Sequence, residues 1–270
     1  MKIGGLNFDT EKHMYVMGIL NVTPDSFSDG GCHYAPEDAL AHAGKMIEQG
    51  AAIIDVGGES TRPGYQEVSE QEEIDRVVPV IEKISKEYDT VISVDTCKSR
   101  VAEEALRAGA HMVNDIWGLK YDERMAKIIA KYQVPCCLMH NREKTDYADL
   151  MQDLKADLKE SLAIAAGAGI ARDRIILDPG IGFGKTYEQN LEVLARLEEL
   201  HLFGCPLLLG TSRKSVIGLT LNLPPEQREE GTAATTVIGR MKGCSFVRVH
   251  DVRTNLRVIQ MTEAVLAKRP

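Results

Sequence analysis

The chain has 270 residues, 44% of them hydrophobic and 27% charged, with no low-complexity tract; this composition supplies apolar surface for a core and excludes a disordered chain. A formal net charge of -8 and the lack of a long Lys/Arg run argue against a nucleic-acid footprint, while leaving room for a local basic pocket around an anionic ligand. Met1 to Thr10 carries no basic-then-apolar leader, and no stretch approaches the roughly 20 apolar residues of a membrane span, so a cytoplasmic protein is expected. The six cysteines, Cys32, Cys97, Cys136, Cys137, Cys205 and Cys244, show neither a CxxC pair nor metal-ligand spacing, as reduced thiols of that compartment would.

Residues 1 to 9, with Gly4-Gly5 between short apolar positions, predict a small hairpin. An apolar run from Met14 to Leu20 predicts the first long strand. It leads into a turn-rich segment, Asn21 to Gly31, too long for a minimal strand-to-helix connection and therefore expected to be functional. Pro36 followed by Glu37 and Asp38 opens a helix, and Gly50 closes it. After a strand at Ala52 to Val56 comes a second polar loop, Gly57 to Gly64. In Glu70 to Lys86, apolar Ile74, Val77, Val78, Ile81 and Ile84 recur at spacings of three and four, predicting a helix with one buried face. Further strands are expected at Val91 to Val94, Met112 to Asn114, Val134 to Met139, Ile175 to Leu177, Pro206 to Leu209 and Phe246 to Val249, with Gly109 and Gly243 as helix stops. Length leaves one domain or two open, but no linker or repeat divides the chain. About eight strand-helix alternations fit a single α/β domain over residues 1–270, a closed (β/α)8 TIM barrel with its short N-terminal hairpin at the floor, better than an open doubly wound sheet.

Barrel strands are buried on both faces, so polar residues at their C-terminal ends normally belong to a site at the mouth. These ends carry Asn21, then Glu59 to Arg62, Asp95, Asn114-Asp115, His140, Asp178, Ser212-Arg213-Lys214, and Arg248 with His250. Two residues apart on one strand, Arg248 and His250 point to the same side. With Arg62 and Lys214 they form a cationic group suited to a phosphate, whereas Arg213 fits a solvated charge. Asp95, Asn114 and Asp178 follow apolar runs. Each alone is explained as a helix cap or a lysine partner; together they suit a flat ligand rich in N–H donors. Gly180 to Thr186 resembles a phosphate-binding Walker loop but fails its spacing, because Pro179 stands where the first glycine belongs. Phe27, an aromatic among turn formers, suits a lid over a planar ligand.

The segments MGILNVTPDSFSDGG, DVGGESTRPG, SVDT, VNDI, LDPGIGFGK, GTSRKS and VRVHD stand in order over nearly the whole chain, and their set resembles the ordered blocks of the dihydropteroate synthase family. Tyr65 is a small departure. The resemblance implies a (β/α)8 barrel that transfers a dihydropterin-6-ylmethyl group from its diphosphate to p-aminobenzoate, in folate biosynthesis, in a family that sulfonamides target. It implies a pterin site of Asp95, Asn114, Asp178 and Lys214, a diphosphate site of Thr61, Arg62, Arg248 and His250, and Mg2+ on Asn21. A p-aminobenzoate site would be drawn from Pro63, Phe183, Ser215 and Phe27. Asp25, Arg62, Lys214 and Arg248 are the expected catalytic residues, with Asp25, Ser26 and Phe27 closing over the barrel, and a homodimer is the expected assembly. A methyltetrahydrofolate methyltransferase shares the Asp-Asn-Asp set but has no use for the diphosphate cluster. A noncatalytic pterin sensor has no need of Asn21, Asp25 or Arg248.

Overall fold

The computed structural model of the chain describes residues 1–23, 36–59 and 68–268. Two short strands, β1 (Lys2–Ile3) and β2 (Leu6–Asn7), pair antiparallel around Gly4-Gly5. Both glycines are left-handed, with φ of 55° and 91°, the conformation a tight two-residue hairpin turn demands and glycine adopts without strain.

Eight parallel strands follow: β3 (Tyr15–Asn21), β4 (Ile53–Gly57), β5 (Val91–Asp95), β6 (Met112–Asp115), β7 (Cys136–Met139), β8 (Ile175–Asp178), β9 (Leu208–Leu209) and β10 (Phe246–Val249). Their order is β8-β7-β6-β5-β4-β3-β10-β9. A parallel bridge between Leu177 and Leu207 joins the outer strands and nearly closes the sheet into a barrel, as expected. The helices around it are α1 (Pro36–Glu48), α2 (Glu70–Glu87), α3 (Ser99–Arg107), α4 (Met125–Tyr132), α5 (Leu150–Gly167), α6 (Tyr187–Ala195), α7 (Ser215–Leu221), α8 (Glu229–Met241) and α9 (Val252–Leu266).

Two apolar clusters divide the interior. One lies between the strands and the helices, where Ile54, Val56, Ile92 and Val94 meet Val77, Val80, Ile81 and Ile84 of α2. On that helix Val78, expected in the buried face, is half-buried while Val80 is buried, because Val77, Val80, Ile81 and Ile84 form the three- and four-residue stripe and Val78 falls on its flank. The other cluster takes one residue from every barrel strand: Met17, Ile53, Val91, Met112, Cys137, Ile176, Leu208 and Phe246. Ile3 and Phe8 of the N-terminal hairpin segment join them, so the hairpin plugs the barrel floor. Strand boundaries shift mainly at prolines, which lack a donor for the ladder. β7 begins at Cys136 rather than Val134, and β9 at Leu208 rather than Pro206, although Pro135 and Pro206 still accept through their carbonyls from Val113 and Leu177.

Candidate active site

Side chains alternate across a strand, so the residues two positions beyond the interior apolar layer also face inward. In β4, β5, β6, β8 and β10 these are Asp55, Ser93, Asn114, Asp178 and Arg248. The polar groups of the mouth therefore rest directly on the apolar floor. Arg248 Nε donates to Asp55 Oδ2 and its Nη2 to Asp95 Oδ2, both at 2.6 Å, while Asn114 Nδ2 donates to Asp55 Oδ2 at 3.0 Å. Four residues from four strands thus share one network. The Asp55 side chain is 0% exposed, and so deep a carboxylate needs the arginine opposite it. Its Oδ1, like Ser93 Oγ, has no hydrogen-bond partner among the described residues. Burial pushes Asp95 up to about 7, against the pull of Arg248 and with the like charge of Asp55. Burial works against the Arg248 cation as well, but Asp55 and Asp95 outweigh it and hold the guanidinium above its ordinary value.

A second group flanks the first. Asp178 is buried, and its Oδ1 accepts from the Gly180 backbone N–H at 2.7 Å. A methyl group built on Gly210 would stand 3.5 Å from Asp178 Oδ2 and 3.7 Å from Lys214 Nζ, which places carboxylate and ammonium around one spot. Lys214 Nζ donates to the Ile181 carbonyl at 2.5 Å and lies 4.6 Å from the centre of the Phe183 ring, within cation–π range. Burial raises Asp178, with Lys214 opposing. Burial likewise brings Lys214 down to about 8, with Asp178 opposing. Ser212 Oγ and His250 Nδ1 lie 2.9 Å apart.

A cavity of about 280 Å³ opens over these groups at the C-terminal ends of the strands. Of the expected site residues, Asn21, Asp95, Phe183, Lys214, Ser215, Arg248 and His250 line it. Asn114 and Asp178, 4% and 5% exposed, lie just behind it: Asn114 bonds Asp55, the partner of the lining Arg248, and Asp178 stands beside the lining Gly210. Asp25, Ser26, Phe27, Thr61, Arg62, Pro63, Tyr65 and Cys32 lie outside the described residues. Arg213, expected as a solvated charge, is half-exposed; it also lines the cavity, with its Nε 3.9 Å from Glu229 Oε2.

Other strand-end polar residues serve the scaffold. Asp115 accepts from the Trp117 and Leu119 backbone at 2.9 and 2.7 Å, the cap-like role that a lone aspartate most often plays. Glu59, which also lines the cavity, and Glu73 both bind Lys98, at 2.5 and 2.9 Å. His140 lies beneath the glycine-rich loop, facing Lys185. Lys185 turns inward to the Gly180 and Phe183 carbonyls, so it does not present the phosphate-facing lysine of a Walker loop. Asp55 was not among the expected site residues. Its signal is a carboxylate in the middle of the apolar run Ile53 to Gly57, which strand alternation turns inward.

The profile of the pterin binding enzymes matches residues 17–250. The chain is similar to the dihydropteroate synthase of Clostridium beijerinckii, 60% identical over 99% of this chain and 100% of that protein. To the Bacillus subtilis dihydropteroate synthase it is 57% identical, over 94% of this chain and 89% of the relative. Among solved structures, a dihydropteroate synthase of Clostridium difficile determined with pteroic acid superposes with a TM-score of 0.95 at 54% identity, covering 97% and 100% of the two chains. The Xanthomonas albilineans enzyme solved with 4-aminobenzoic acid gives 0.92 at 42% identity, covering 95% and 94%. The Yersinia pestis enzyme in complex with a sulfonamide drug gives 0.92 at 47% identity, covering 99% of both chains.

Proposed function

The chain belongs to the dihydropteroate synthases among the pterin binding enzymes, and from that membership we propose how its residues divide the reaction. The enzyme transfers the 7,8-dihydropterin-6-ylmethyl group from its diphosphate to the amine of p-aminobenzoate, giving 7,8-dihydropteroate and diphosphate. The observation that carries the assignment of roles is the paired layout at the mouth, with Arg248 between Asp55 and Asp95 and Lys214 beside Asp178. We assign the whole chain, 1–270, to one catalytic barrel domain.

Asp95, Asn114 and Asp178 take the N–H edge of the pterin, and Lys214 its carbonyl and ring nitrogen. A bound heterocycle supplies the buried carboxylates with donors, which offsets part of their desolvation. Arg248 uses two of its five N–H groups on Asp55 and Asp95; others are directed to the diphosphate, together with His250, Thr61 and Arg62. Asn21, whose amide is on the cavity wall, fits Mg2+, an ion that takes one or two protein oxygens and completes its shell with phosphate and water. Held by the Asn21 amide oxygen, such an ion would supply positive charge to the diphosphate.

The bond between the methylene carbon and the diphosphate oxygen breaks early, its electron pair leaving with diphosphate. The cationic methylene that results is stabilised by the nearby carboxylates until the aniline nitrogen attacks, forms the C–N bond and gives up one N–H proton to the departing diphosphate. Asp25 and Phe27, with the segments that carry them and Pro63, exclude water from that cation. Phe183 and Ser215 receive p-aminobenzoate, and a sulfonamide, which shares the aniline, enters the same end. The protein works in the cytoplasm. Its assembly is a homodimer formed by the apolar face of α6, α7 and α8, where a groove of about 600 Å³ is lined by Leu191, Leu194, Val216, Ile217, Leu221 and Ile238.

Incubation with the pterin diphosphate, p-aminobenzoate and Mg2+ yields stoichiometric diphosphate and dihydropteroate. Diphosphate release without coupling assigns a different acceptor, and binding without release contradicts catalysis.

A further inference from the structure

Lysine is almost never fully buried without partners, yet Lys185 is only 9% exposed. Its Nζ lies 2.9 Å from the Gly180 carbonyl, 3.0 Å from the Phe183 carbonyl and 2.8 Å from His140 Nδ1. An ammonium has three N–H donors and no lone pair, so these three partners use it completely. Burial lowers Lys185 to about 7, with Asp178 opposing, so the ammonium is the form present below neutral pH; in that form His140 Nδ1 accepts, which puts the ring proton on Nε2. That atom lies 3.0 Å from Asp157 Oδ2, an acceptor suited to it. Asp157 is held in turn by Arg142, through Nε at 2.5 Å and Nη2 at 3.1 Å. Burial lowers His140 to about 4, with the Asp157 hydrogen bond opposing, which agrees with a neutral ring of fixed tautomer.

The loop that Lys185 holds from inside faces the cavity on its other side. Gly180 N–H orients Asp178, the Ile181 carbonyl takes Lys214 Nζ, and the Phe183 ring lies against that ammonium. The Ile181 and Phe183 contacts fall between the two carbonyls that Lys185 ties together, and the Gly180 N–H belongs to the residue that carries the first of them.

We propose that Lys185, oriented by the Nε2–H tautomer of His140, is a positioning residue for pterin capture: by tying the Gly180 and Phe183 carbonyls it fixes the loop that aims Asp178 and Lys214. The inference rests on the assignment of those two residues to the pterin. Misplacement of binding groups by about 1 Å can cost on the order of 100-fold, and the effect belongs to pterin binding more than to the later steps.

The test compares Lys185→Met, His140→Phe and His140→Asn with the parent, by calorimetric binding of the pterin diphosphate and by its KM and kcat. Both histidine variants lose the bond to Asp157, but the asparagine oxygen still accepts where Nδ1 did. Lys185→Met and His140→Phe are expected to raise the dissociation constant and KM by roughly 10- to 100-fold, with kcat less affected. His140→Asn stays within about threefold of the parent. Values within about twofold of the parent for both disruptive variants overturn the inference. Asp178→Asn serves as the control for the underlying assignment: if it binds the pterin normally, the site reading fails; if it alone loses binding, only the clamp fails. Should a disruptive variant not fold, ¹⁵N chemical shifts of His140 in the parent protein decide, with Nδ1 unprotonated as expected and a protonated Nδ1 overturning the inference.

Discussion

Arg248 sets the charge balance of the pocket, because two carboxylates from neighbouring strands meet on one guanidinium. Removing one member of a buried pair typically costs about 3–5 kcal/mol, since the other is left uncompensated. Here protonation limits the loss: burial has already pushed Asp95 up to about 7, so it can neutralise itself, while Asp55 keeps the hydrogen bond from Asn114. Arg248→Ala is therefore expected to fold, with reduced stability, and to lose turnover by about 10²–10³, the usual effect of deleting one preorganised charge-stabilising group. Asp178→Asn should lose a comparable amount, and rates of both variants within about threefold of the parent would contradict the roles given to them. Lys214 adds a pH signature. Its ammonium is lowered to about 8 by burial, and a ligand carbonyl accepts a stronger hydrogen bond from the charged form than from the neutral amine. Affinity for the pterin diphosphate then declines as pH rises through that value, and it also falls on the acid side as Asp95, pushed up to about 7, is protonated and weakens as an acceptor, so binding is tightest between the two. Titration calorimetry from neutral to alkaline pH should show the break in the parent and not in Lys214→Met, whose affinity is low throughout.

Among the elements, the loop after β8 is tightly constrained at Gly180. Gly180 has φ of 69°, and a Cβ there would stand 1.9 Å from the His140 carbonyl oxygen, a backbone atom that cannot swing aside. Gly180→Ala combines that clash with the roughly 1–2 kcal/mol of a left-handed non-glycine residue. We expect it to lower the urea midpoint at unchanged slope and to weaken pterin binding through Asp178, whereas an unaltered midpoint would refute the strain. The glycine-rich stretch was visible in the sequence, as was its failure to match a Walker loop; the inward turn of Lys185 was not. That orientation depends on His140, 45 residues away, and spacing along the chain carries no record of it. The same limit explains Asp55. Apolar runs located eight strands, and strand-end positions located Asp95, Asn114, Asp178, Lys214, Arg248 and His250. A mid-strand carboxylate takes its meaning from Arg248, on a strand nearly two hundred positions later that becomes a close neighbour only when the barrel curves round. Proline boundaries shifted for a local reason, the missing ladder donor at Pro135 and Pro206.

For the molecule as a whole, surface composition and net charge pull in opposite directions. A formal charge of -8 favours separation of like chains, through a repulsion that salt screens over about 10 Å. Against this, Leu191, Leu221 and Ile238 of α6, α7 and α8 are exposed, by 39%, 44% and 41%, and line the apolar groove that these helices form. Contiguous apolar surface of this kind marks an interface, and burying a specific one of standard size removes about 1,600 Å² from water. At roughly 25 cal/mol per Å² of apolar area the gain exceeds screened repulsion between surface charges. Sedimentation equilibrium should give twice the chain mass at micromolar concentration, with association strengthened by salt. Leu221→Asp together with Ile238→Asp places charges in the groove without touching the cavity network of Arg248 and Asp55, so the double variant should sediment as a monomer. A parent that is itself monomeric at that concentration, or a double variant that remains dimeric, would remove α6, α7 and α8 from the assembly.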